Sequence, residues 1–179
     1  GMTFVAGWSW VPALGVDFSF LVDGLSLLFA LIISGIGTLI FTYSAGYFKG
    51  FPLASRVLTI LLLFMVSMLG LVLAENIITL FVFWELTTIT SYLLIGTNHE
   101  KTDARRYAMQ ALLVTVAGGL AFLAGLVLLG TAAGTFSLSG IIAQDLTGHS
   151  LYLPIFILIF IGCITKSALF PFHFWLPNA

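Results

Sequence analysis

Two ionisable residues of opposite charge stand inside long apolar stretches. Glu85 lies in FVFWELTTITSYLLIG, and Lys166 lies in IFILIFIGCITKSALFPFHFWLP. A charged side chain at the centre of a membrane span costs at least about 2.5–3.5 kcal/mol and by default marks an ion or proton path. Burial favours the neutral form of such a group, and pairing with an opposite charge favours the charged form. Opening and closing a Glu–Lys pair therefore changes protonation states, which is what a proton relay requires. Each residue also has a plainer reading. Lys166 could snorkel to the interface. Glu85 could be a structural carboxylate satisfied by the hydroxyls of Thr88 and Tyr92, which share its helix face at i+3 and i+7.

The residues after Lys166 support the relay. Ser167 follows it directly, and Pro171, lacking an N–H, cannot donate to the carbonyl of Ser167. A carbonyl freed at membrane depth must be buried in protein or line water. Discontinuous helices of this kind form ion sites in transporters. The pattern predicts a helix with Lys166 in its middle and a break just after it, with Pro171 as its cause. His173 shares the lysine's face if the helix resumes in register, and would then be the next relay station; a packed histidine is the equal alternative. Elsewhere, Glu75 reads as a solvated boundary carboxylate and His149 as an exposed loop residue. His99, His149 and His173 do not form an intramembrane haem-ligand arrangement. The single cysteine, Cys163, permits no disulfide or cysteine metal cluster within the chain. No nucleotide loop or hydrolase motif is present. No cofactor and no metal is expected.

The elements that must position these groups follow from composition. Of 179 residues, 60% are hydrophobic and 7% charged, against about 25% charged in soluble domains. A soluble core is excluded. Net charge is −1 and no basic patch exists, so nucleic acid is not an expected partner. The fold class is an all-α polytopic membrane protein with about five transmembrane helices, the last discontinuous. Residues 1–20, with Trp8, Trp10 and Pro12, form an extracytoplasmic interfacial lead-in, because tryptophan favours the headgroup level. Residues 21–179 form the transmembrane segment.

The first span is 24–48. The stretch 57–97 would make a helix of about 60 Å, twice the hydrocarbon thickness, so it must turn at Glu75–Asn76, giving spans 57–74 and 77–96. The fourth span is about 108–129, and the fifth starts near Leu151. Ala117, Ala121 and Gly125 repeat at i+4 as a small-residue face for helix contact. Residues 98–106 are a mixed-charge loop, and 130–150 a polar-leaning one. Lys49, Arg56, Lys101, Arg105 and Arg106 are the loop cations. All fall on one side, which the positive-inside rule places in the cytoplasm, with the N-terminus outside. Spans one, three and five are then parallel. Glu85 sits ~12 Å into its span and Lys166 ~18 Å past Pro154, at similar depth, so the two can pair and offset part of each other's burial cost.

The segments WELTTITSYLLIG, RRYAMQALLVTVAGGLAFLAG and TKSALFPFHFWLPNA resemble the antiporter-like subunits of respiratory NADH–quinone oxidoreductase and of Mrp-type multisubunit Na⁺/H⁺ antiporters. The resemblance runs from about Asp23 onward. The alanine- and glycine-rich fourth span is more similar to the large A subunit of the Mrp antiporter. The resemblance implies that Glu85 pairs with Lys166 of a broken helix in a proton path, within a multisubunit complex of the cytoplasmic membrane that exchanges Na⁺ for H⁺. Family members contain two inverted repeats, and this sequence is expected to be a piece of a longer chain holding most of the first. A proton-pumping subunit of a quinone oxidoreductase or membrane-bound hydrogenase is the nearest alternative. A structural membrane scaffold is the other, and it would need no central charge.

Overall fold

The computed structural model describes residues 3–98 and 100–179, so His99 lies outside the described residues. The lead-in is more ordered than an interfacial segment. It folds as an antiparallel hairpin of β1 (Phe4–Val11) and β2 (Val16–Val22), registered Trp8 to Phe18. The turn closes at Gly15, whose φ of 64° is left-handed and suits glycine. Trp8 and Trp10 pack against Phe18 with ring centroids 5.2 and 6.3 Å away.

Asp23 starts α1 (Gly24–Tyr47) with a reciprocal cap. Its carboxylate accepts from the Ser26 N–H at 2.8 Å, and its own N–H donates to Ser26 Oγ at 2.8 Å. Those bonds from Ser26 hold the Asp23 carboxyl below its ordinary value. The chain continues through α2 (Ala54–Leu73), α3 (Ile77–Ile95), α4 (Thr102–Ala133), a short α5 (Leu138–Ile142) and α6 (Tyr152–Lys166). The helices α1 to α4 are each long and apolar enough to cross a membrane. With its 15 residues, α6 reaches only ~22 Å, short of the ~30 Å hydrocarbon core. The chain then turns into a 3₁₀ segment, Phe172–Asn178. The fifth span is therefore discontinuous.

Successive helices run up and down. The hairpin, the α2–α3 turn and the α4–α5 connection meet at one end, where Glu75 N–H donates to Ser19 O at 2.9 Å and Ile77 N–H to Phe136 O at 2.9 Å. The connections carrying Lys49, Arg56, Lys101, Arg105 and Arg106 lie at the other end. The helices α1, α3 and α6 are parallel in this order.

Three local expectations are corrected. First, Lys166 is the last residue of α6, not its midpoint, and the helix breaks before Pro171 acts. Ala168 takes a left-handed φ of 51°. Leu169 N–H then reaches back to Ile164 O at 3.0 Å, and Ala168 N–H to Thr165 O at 3.4 Å. This is a Schellman ending with alanine where glycine is usual.

Second, Glu75 is buried rather than solvated, at 5% exposure. Its Oε1 accepts from Ser137 Oγ at 2.9 Å, from Ser139 N–H at 3.2 Å and from Ser139 Oγ. The carboxylate thus ties the α2–α3 turn to the start of α5. The loop 130–150 folds back onto the bundle, and no neighbour in sequence signals that.

Third, the small-residue seam of α4 is not Ala117–Ala121–Gly125. Ala117 is exposed and Ala121 only half-buried. The buried face is Gly118, Phe122 and Gly125, at i, i+4 and i+7. A Cβ at Gly118 would overlap Thr165, and one at Gly125 would sit 2.8 Å from Ile159 Cγ1. The i+4 row drifts round the helix, whereas 118 and 125 stay on one line facing α6. At the hairpin end of this interface Ile77, Phe122, Leu126 and Ile141 form the core, flanked by Phe81 and Trp84.

Candidate functional site

The centre of the bundle is where α3, α4 and α6 meet. Threonines and a serine populate this stretch of α3, and each hydroxyl bonds back to the preceding turn: Thr87 to Trp84 O at 2.7 Å, Thr90 to Leu86 O at 2.7 Å, Ser91 to Thr87 O at 2.7 Å. Polar side chains are thereby carried through the membrane without orphaned groups. Thr88 donates only a long bond to Trp84 O, at 3.3 Å, and its oxygen also serves as an acceptor.

Lys166 uses that acceptor. Its Nζ donates to Thr88 Oγ1 at 2.7 Å and to Trp84 O at 3.3 Å. It also lies 5.5 Å from the centroid of the Trp84 ring, within cation–π range. The ring is fixed by stacking on Phe122 of α4, centroids 4.4 Å apart. The ammonium is therefore held across the α3–α6 interface by neutral oxygens and an aromatic face.

Glu85 is half-buried on α3, one residue from Trp84. No hydrogen bond or ion pair joins it to Lys166, although the two charges act on one another electrostatically. Its Oε1 is buried and has no hydrogen-bond partner among the described residues. That oxygen lies against Gly119 of α4. The expected partners divide differently from the sequence pattern. Thr88 bonds to Lys166 rather than Glu85, and Tyr92 lines a small cavity beside the lysine.

That cavity, about 40 Å³, is lined by Thr88, Ser91, Tyr92, Thr115, Lys166 and Trp175 among others. A water needs roughly 10–15 Å³ of such volume and two or more polar partners, so the space suits a few waters. It lies between Lys166 and the cation-rich end of α3. Trp175, in the 3₁₀ segment, reaches back so that its Nε1–H donates to Thr165 O at 3.1 Å. The carbonyl stranded by the broken helix is thus that of Thr165, and an indole caps it.

Ser167 is exposed and caps α6, its N–H donating to Cys163 O at 2.9 Å. Pro171 is exposed within the turn closed by Phe172 N–H to Leu169 O at 2.7 Å. The structure does not bring His173 to the cluster. Beyond the turn the chain is 3₁₀, so the helical register is lost, and His173 is exposed with its ring stacked on Phe170 at 5.8 Å. Sequence reasoning missed Trp84, Thr115, Gly119 and Trp175. Consecutive glycines inside an apolar span were the one signal for Gly119, and Trp84 could be found only through its neighbour Glu85.

A polytopic bundle with a broken helix and two opposite charges at its centre defines a class of ion-translocating membrane proteins. The family model described as "NADH:quinone oxidoreductase/Mrp antiporter, TM" matches residues 74–179, and the chain belongs to that family. A second model, the N-terminal part of complex I chain 5, matches residues 8–56. The large A subunit of the Na⁺/H⁺ antiporter of Alkalihalophilus pseudofirmus is 50% identical over 95% of this chain and 22% of its own length. The A/B subunit of a probable K⁺/H⁺ antiporter of Rhizobium meliloti is 44% identical over 95% of this chain and 17% of its length. The chain therefore spans about a fifth of the curated relatives it matches. Among solved structures, the Mrp complex of Dietzia sp. aligns with a TM-score of 0.86 at 36% identity, covering 98% of this chain and 20% of that one. Respiratory complex I of Thermus thermophilus aligns with a TM-score of 0.80 at 27% identity, covering 97% and 36%.

Proposed function

We propose that this chain forms a proton-conducting part of an antiporter-like subunit in a multisubunit Na⁺/H⁺ antiporter, with Glu85 and Lys166 in the proton path. The observation that carries the reading is the placement of Lys166. It bonds to Thr88, lines the cavity with Tyr92, and stands within electrostatic reach of an unpaired Glu85. This is an open arrangement of the pair. Closing it would favour the charged form of both groups, and opening it again would let a proton leave through the cavity. Ser167, Ala168 and Pro171 let the helix end beside the lysine. Residues 21–179 would make up most of the first inverted repeat. The protein is a transporter component of the cytoplasmic membrane, with the cation-rich loops inside and the hairpin outside. Its partners are the other subunits of the complex, the bilayer, H⁺ and Na⁺.

The likeness to complex I supports a second reading, a redox-driven proton pump. The higher identities to the large antiporter subunits favour exchange. The test uses the full complex in vesicles. Glu85→Ala and Lys166→Ala each abolish exchange, because removing one partner leaves the other buried without compensation. The double variant Glu85→Gln, Lys166→Met assembles and stays inactive. Full exchange by the double variant would reduce the two residues to a structural pair.

A further inference from the structure

Gly119 has no place in the relay as described, yet its surroundings are unusual. A Cβ built on this buried glycine would meet three nearest atoms, and all three belong to Glu85: Oε1 first, then Cδ at 3.2 Å and Oε2 at 3.7 Å. The other glycines of α4 differ. At Gly118 the nearest atoms belong to Thr165, and at Gly125 they include the backbone of α6. Those two are explained by close helix contact. Gly119 is turned toward α3, and what fills its side-chain space is a carboxylate. Glycine inside a helix is disfavoured by about 1 kcal/mol relative to alanine, so two in succession within an apolar span ask for two separate reasons. The Thr165 contact supplies one.

We infer that Gly119 is a positioning residue: the missing side chain leaves a recess in α4 that seats the Glu85 carboxylate apart from Lys166. The recess offers Oε1 no hydrogen bond among the described residues, so it holds the carboxylate by shape and does not trap it there. A carboxylate seated this way can leave toward the lysine without breaking a bond. Gly119 thus sets the open state of the pair and the distance the carboxylate must travel. The inference rests on the proton-path reading of Glu85 given above.

The experiment compares Gly119→Ala, Glu85→Asp, the double variant Gly119→Ala with Glu85→Asp, and Glu85→Gln, in vesicles of the full complex. Exchange is normalised to assembled complex. Alanine at 119 displaces the carboxylate by an ångström or more, which for a reacting group can cost up to about a hundredfold. Exchange by Gly119→Ala is expected to fall on the order of tenfold or more. Aspartate is one methylene shorter and withdraws from the added methyl. The double variant therefore exchanges faster than Gly119→Ala alone, a recovery that general crowding of α4 would not give. Where Gly119→Ala fails to assemble, recovery of assembly in the double variant is the same readout. Wild-type exchange in Gly119→Ala, or no recovery in the double variant, overturns the inference. Full exchange in Glu85→Gln instead overturns the proton-path reading itself, so the two failures are distinguishable.

Discussion

Replacing Thr88 with valine keeps a β-branched side chain at a position only 2% exposed and removes one hydroxyl. That hydroxyl has two bonds: it accepts from Lys166 Nζ at 2.7 Å and donates weakly to Trp84 O at 3.3 Å. Only the first involves a charge. A hydrogen bond to a charged group contributes about 1.5–3 kcal/mol net, a neutral one about 0.5–1.5. The long bond to Trp84 O and the Trp84 ring would still hold the ammonium, the ring by about 0.5–2 kcal/mol. Thr88→Val should therefore lower stabilisation of the charged lysine by about 1.5–3 kcal/mol, or roughly ten- to a hundredfold at 1.36 kcal/mol per decade. Thr87 is the matched control. It is 1% exposed, its hydroxyl also bonds to Trp84 O, at 2.7 Å, and it has no hydrogen bond to Lys166. Exchange rates of the full complex in inverted vesicles, normalised to subunit content, should fall steeply for Thr88→Val and little for Thr87→Val. Equal effects of the two substitutions would refute the assignment of Thr88 as the lysine's seat.

Three further outcomes follow from the geometry. Glu75→Gln keeps the Oε1 acceptor, whereas Glu75→Ala leaves the donors of Ser137 and Ser139 without it; thermal stability in detergent should drop by at least ~2 kcal/mol more for alanine. Hydrogen exchange should also quicken at residues 139–142 in the alanine variant, and equal losses would contradict the role of Oε1. Ala168→Gly should raise stability by about 1 kcal/mol, because glycine takes the left-handed φ without steric cost; a lower unfolding midpoint would show that the methyl group packs usefully. Cysteines introduced at Ser55 and Gly148, both exposed, should label from opposite sides of the membrane in the full protein. Labelling of both from one side is incompatible with the order of helices.

Much of the architecture is legible without coordinates. The bilayer acts as a solvent of fixed thickness, so apolar run lengths determine where spans begin and end, and the 57–97 stretch had to turn at Glu75–Asn76. The break after Lys166 and the parallel course of the helices that carry Glu85 and Lys166 follow from the same counting. The hairpin also has a signal, a Pro12–Gly15 turn between two aromatic-rich segments, but reading its tryptophans as headgroup anchors conceals it. Hydropathy reports how deep a residue lies and not which way it faces. Helix rotation decides that Gly118 rather than Ala117 meets α6, and that Gly119 meets Glu85. It also decides that the ammonium bonds to Thr88 and the Trp84 carbonyl and not to the carboxylate. Burial of Glu75 depends on Ser137 and Ser139, sixty residues away in the chain and within hydrogen-bond distance in space. Charge and depth were thus written in the sequence, because each residue meets the membrane on its own. The choice of partners was left to the tertiary structure, because a hydrogen bond is made or lost over less than an ångström.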